Sequence, residues 1–157
     1  MLQTVTSDAT FGQGPAFSTD TGFTPAVSPD RKTFTATFSD LVAMLDTGST
    51  PIVTRTFSFS IPLADVEPGD EIPFFVSGTA EFEKGANVHM VFTVNDQSTT
   101  AYFPVAPEKA YVHRLTYKAT DAKEARVTVL LLASRDSKSR VQAFLNVMTI
   151  DTDATKH

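Results

Sequence analysis

The sequence predicts an all-β fold: a two-sheet antiparallel β-sandwich, jelly-roll-like, with about nine strands. Three observations carry the prediction. Apolar and polar residues alternate with period two through most of the chain from Lys32 to Ile150. The alternating runs are short and punctuated by Gly, Pro, Asn and Asp, as in sandwiches and barrels. No repeat of fixed period marks a propeller or a solenoid.

At 157 residues and 41% hydrophobic composition there is room for one domain, 1–157, with a core large enough to fold without metal or disulfide support. Its opening segment differs from the rest. Ser7 to Arg31 is rich in Gly, Pro, Ser, Thr and Asp without an apolar period, and reads as a long loop or arm. Phe11, Phe17 and Phe23 are its pins, either to the body of the same molecule or to a neighbouring subunit.

The strands then follow in order. Lys32 to Phe38 places Phe34, Ala36 and Phe38 on one face and Thr33, Thr35 and Thr37 on the other. Leu41 to Leu45 is a short second run. Val53 to Leu63 is the clearest strand, apolar on one face except for Arg55, with Pro62 requiring an edge or a bulge. Pro68-Gly69-Asp70 turns the chain into Ile72 to Phe82, where Gly78 marks a bulge or bend. Val88 to Val94 and Thr99 to Val105 form a hairpin closed by Asn95-Asp96-Gln97-Ser98. Tyr111 to Ala119 alternates again.

Helix and strand compete in the last third. Asp121 and Glu124 have the spacing of a helix start, and Val141, Phe144, Leu145 and Met148 fall at helical intervals. The β-branched Val127, Thr128 and Val129 and the alternation of Val141, Ala143, Leu145 and Val147 favour strands over Arg126 to Ala133 and Val141 to Ile150.

Ser28-Pro-Asp-Arg-Lys-Thr-Phe-Thr-Ala-Thr-Phe-Ser-Asp40, Thr54-Arg-Thr-Phe-Ser-Phe-Ser-Ile-Pro-Leu63, Ser77-Gly-Thr-Ala-Glu-Phe82 and Leu145-Asn-Val-Met-Thr-Ile-Asp151 together resemble an uncharacterised β-rich domain family of secreted fungal and actinobacterial proteins. The resemblance implies a sandwich and an extracellular module. It implies no activity and no site residues.

Composition excludes several function classes. The chain has no cysteine, so disulfide frameworks, thiolate metal sites and cysteine nucleophiles are ruled out. A net charge of −5 with scattered Lys and Arg argues against nucleic acid and anionic membrane as partners. The longest apolar run, Val127 to Ala133, is far short of the roughly 20 residues that span a bilayer, so a soluble protein is expected. Met1 to Val5 lacks the character of a secretory signal, which leaves an intracellular chain or one whose signal has been removed.

Among chemistry-bearing residues, three histidines with one at the C-terminus leave no three-histidine metal site, and no Gly-x-Ser-x-Gly elbow is present. Tyr111, His113 and Tyr117 share one face of a strand and form the candidate ligand patch. Sugar rings stack on flat aromatic rings, and Tyr102, Tyr111 and Tyr117 are the candidates for that role; packing is the competing explanation. His89 reads as a solvated or sheet-covered side chain. Asp65, Glu67, Asp70 and Glu71, or Asp151 with Asp153, offer hard oxygen ligands to calcium without EF-hand spacing, and a solvated loop explains the first group equally. Arg55 is assigned a structural ion pair, and Arg135, Lys138 and Arg140 a solvated loop.

No nucleophile, base and orienter set assembles from these residues, so no enzyme and no cofactor beyond calcium is expected. The sequence therefore reads as a non-catalytic interaction or ligand-binding module, with carbohydrate the small ligand that fits best and a protein surface the other partner. The alternative is a structural assembly subunit of a shell, fibre or virion, a homo-oligomer in which the 7–31 arm docks on a neighbour.

Overall fold

Period-two alternation puts every second side chain of a strand on the same face, and here those faces close on each other as two antiparallel sheets. The structure, a computed structural model, describes residues 10–12, 22–104 and 109–153. They contain eleven strands: β1 (Thr10–Phe11), β2 (Phe23–Val27), β3 (Thr33–Phe38), β4 (Val42–Leu45), β5 (Ile52–Ala64), β6 (Glu71–Phe82), β7 (Ala86–Val94), β8 (Gln97–Tyr102), β9 (Ala110–Lys118), β10 (Glu124–Arg135) and β11 (Ala143–Asp153). No helix occurs among the described residues, so β-branching and alternation win over the helical spacing in 121–150.

The first sheet runs β1-β5-β10-β7-β8; the second runs β2-β3-β11-β6-β9, with β4 paired to β11 beyond the end of β3. From β4 onward every connection crosses between sheets except the β7–β8 hairpin, and the last strand pairs with β4, the first of the set. That wrapping of β4-β11-β6-β9 over β5-β10-β7-β8 is a jelly roll.

The two strands beyond the nine expected lie inside 7–31. Gly and Pro density hides them, although Pro25 is tolerated because β2 is an edge strand bonded to β3 alone. Phe11 is buried against Phe34, and Phe23 packs on Phe38, Phe57 and Phe59 with centroids 5.0–5.9 Å apart. These two pins thus hold onto the chain's own core, whereas Phe17 lies outside the described residues. Pro62 stands near the end of β5, opposite Glu124 at the start of β10 and next to the two-residue β1.

Gly78 explains the second sheet's irregularity. The β11 register slips between Val147 and Thr149 opposite Gly78 and Ser77, extruding Met148 as a bulge. A Cβ on Gly78 would sit 2.1 Å from the Asn146 carbonyl oxygen. Tyr111, its partner on β9, lies across this gap instead, and its hydroxyl donates to the same carbonyl at 2.6 Å.

Arg135 corrects the solvated-loop reading. It holds inward parity at the end of β10 and is 7% exposed. Its guanidinium donates to the carbonyls of Asp46, Val141, Gly48 and Thr50, tying the β4–β5 and β10–β11 connections together. Arg55 meets its expected carboxylate, Asp40 Oδ2 at 3.4 Å, at the exposed sheet end.

Candidate functional site

The residues singled out on β9 do not form an outer platform. Tyr111, His113, Leu115 and Tyr117 face the opposite sheet, and it is Val112, Arg114, Thr116 and Lys118 that face out. Tyr117 has no exposed surface and its hydroxyl accepts from Asn95 Nδ2 at 2.7 Å. A fully enclosed ring cannot stack on a sugar, so Tyr117 leaves the candidate set. Tyr111 is half-buried, edge-on to Phe103 at 4.7 Å, with its phenol pushed above the ordinary range by burial. His113 is also half-buried; its Nε2 has no hydrogen-bond partner among the described residues, and desolvation lowers its pKa below the ordinary 6.5. Both belong to the margin where the two sheets' edge strands, β8 and β9, approach.

The outer face of the first sheet is different in kind. Backbone register lines its outward residues into rows across β5, β10, β7 and β8: Ser58-Thr128-Thr93-Ser98, then Thr56-Leu130-Val91-Thr100, then Thr54-Leu132-His89-Tyr102, then Ile52-Ser134-Asn87. None of these is Asp, Glu, Lys or Arg, in a chain with 31 such residues. Beyond the first row, Glu124 and Arg126 pair with each other at 3.0 Å.

Within the face, Leu130, Leu132 and Val91 form a half-buried aliphatic floor. Hydroxyls surround it, some already paired: Ser58 with Thr128 at 3.0 Å and Thr93 with Ser98 at 2.8 Å. On the β8 side the floor continues into two rings, His89 and Tyr102, with centroids 5.4 Å apart and planes inclined by 37°. Tyr102 is 77% exposed, the largest exposure of any large apolar side chain among the described residues. The neighbouring Thr100, Ser134 and Asn87 supply neutral donors and acceptors.

Asn95 sets this register. Its φ of 53° allows a two-residue turn between Val94 and Gln97, and thereby places His89 opposite Tyr102. Its side chain is held by Tyr117, by the Glu124 carbonyl at 3.2 Å and by the Arg126 amide at 2.9 Å.

Two of the acidic candidates make contacts within the chain. Asp70 Oδ2 accepts from the Glu67 amide at 2.9 Å to close its own turn, and Asp151 accepts from Thr35 Oγ1 at 2.6 Å. No three His, Asp or Glu side chains gather as a metal set among the described residues. A cleft of about 410 Å³ over β4, β11 and β6 is floored by Met44, Phe82 and Phe144. Its acids are engaged within the chain: Asp46 with the Gly48 amide at 2.8 Å, Glu81 with Lys109 at 2.7 Å and Glu83 with the Gln142 amide at 2.9 Å.

No family model and no curated protein matches the chain. Among solved structures it is similar to TmCBM61 in complex with β-1,4-galactotriose, at 9% identity over 89% of this chain and 87% of that one, with a TM-score of 0.38. It is also similar to the enzymatically active domain of tailspike protein 4 of bacteriophage CBA120, at 15% identity over 92% of this chain and 19% of that one, with a TM-score of 0.35.

Proposed function

We propose that the chain is a non-catalytic binding module that holds a carbohydrate on the outer face of the first sheet. The observation that carries this reading is the Tyr102 ring, 77% exposed beside His89 and continuous with Leu132. Sugar rings are amphipathic: their C–H faces pack on apolar and aromatic surface while their hydroxyls need neutral hydrogen-bonding groups around the edge. The face offers both in one plane, an apolar floor with Ser, Thr and Asn at its rim.

Native gels cast with single polysaccharides test it. Wild-type protein is retarded by at least one of them, and Tyr102→Ala moves freely in that gel while melting within about 2 °C of wild type, since the ring is largely solvated. Equal retardation of the two proteins would remove Tyr102 from the site.

A further inference from the structure

Resting on the carbohydrate reading, we infer that the ligand class is an uncharged glycan, and that the first sheet's outer face discriminates against glycans bearing carboxylate or sulfate. The inference comes from what surrounds the floor. The four rows contain no Lys or Arg to receive an anionic group and no Asp or Glu to receive a cation. Arg126, beyond the first row, is paired with Glu124. The chain carries −5 overall, so an acidic polymer approaching this face meets net repulsion and finds no Lys or Arg in the four rows. A carboxylate laid on Leu130 or Leu132 would lose hydration and meet only neutral donors, with no cation in the four rows to offset the loss.

The size of the face argues for a small ligand over a second protein. Same-face residues repeat about every 6.8 Å along a strand, and strands are about 4.8 Å apart, so four rows by four strands measure about 20 Å by 14 Å at the backbone. With a side chain's width on each edge the area stays under about 600 Å², against about 800 Å² per partner in a standard protein interface. Leu130, Leu132 and Val91 are already half-covered by their neighbours, and so add little apolar area to a protein contact. A single layer of sugar rings, apolar beneath and hydroxylated at the edges, matches both the extent and the chemistry.

The test compares retardation of the full chain by neutral galactan, glucan, xylan and mannan with that by polygalacturonate and a sulfated galactan, from low salt to about 0.5 M. Retention by one or more neutral polymers is expected, changing less than about twofold across that salt range, with the acidic polymers at least about tenfold weaker. Tyr102→Ala and Leu132→Asp each weaken the neutral interaction about tenfold or more. Preference for an acidic polymer, lost as salt rises, would overturn the neutral class and leave the carbohydrate reading standing. Neutral binding that both variants retain would overturn this face as its location. A dimer in sedimentation that Leu132→Asp dissolves would put a second copy on the face and overturn the proposal, and no retention by any polymer would overturn it together with the carbohydrate reading.

Discussion

Among the described residues, removing the Arg135 guanidinium should cost more stability than any other single charge deletion, and Arg135→Met is the substitution that isolates it. Methionine keeps much of the apolar stem while deleting the donors to Asp46, Gly48, Thr50 and Val141. Hydrogen bonds from a charged donor are worth about 1.5–3 kcal/mol each, so four amount to a gross stabilisation of about 6–12 kcal/mol. Two effects reduce that figure. Burying a guanidinium costs several kcal/mol in lost hydration, which the variant recovers. Asp46, Gly48 and Thr50 are exposed loop residues, so water can reach their carbonyls once the side chain is gone. The net loss should be about 3–4 kcal/mol, or about 10 °C in Tm for a domain of this size. Arg135→Lys should recover less than half of it, because three donors on one nitrogen cannot reach carbonyls spread around a planar fork. Urea unfolding with a shared m-value measures both variants. A loss under about 1 kcal/mol for Arg135→Met would show that the connections hold without their clamp.

Gly78→Ala drives a methyl into the Asn146 carbonyl and should cost at least about 3 kcal/mol in urea or abolish soluble expression, whereas Gly69→Ala, with open space and φ of 96°, should cost about 1 kcal/mol. A mild Gly78→Ala would mean that the bulge can relax. Asn95→Ala removes the side chain joining Tyr117, Glu124 and Arg126 at a positive φ, and should lose about 2–4 kcal/mol by denaturant titration. Because burial depresses the His113 pKa in the folded state, the unfolded chain takes up a proton first as pH falls; stability should therefore decline from about pH 6.5 downward and level off below the folded value. His113→Leu should flatten that limb in Tm-against-pH curves, and an unchanged slope would assign it to other groups.

Much of the fold is legible from alternation alone, because Phe57-Ser58-Phe59-Ser60-Ile61 admits only a strand with one face in the core. β2 escapes because Pro25 and its Gly-rich surroundings look like a loop, and only the pairing with β3 makes a strand of it. The site is less legible for two physical reasons. On β9 both faces mix polar and apolar residues, so parity alone does not say which one is inside; the tyrosine hydroxyls find buried acceptors and donors that a sequence does not display. On the β7–β8 hairpin, a four-residue turn from Asn95 to Ser98 would set Val94 opposite Thr99, and His89 would then face Pro104. Asn95 at positive φ shortens the turn to two residues and brings Tyr102 to His89. That asparagine is the one sequence signal that points to the ring pair.

The most direct test of the central claim is calorimetric titration of wild type and Tyr102→Ala, side by side with their melting curves, using the neutral polysaccharide that retards wild type most strongly. The account predicts saturable binding by wild type, at least about a tenfold loss in the variant and melting temperatures within about 2 °C of each other. Equal affinity, or a loss of binding that comes with a large drop in Tm, would contradict it.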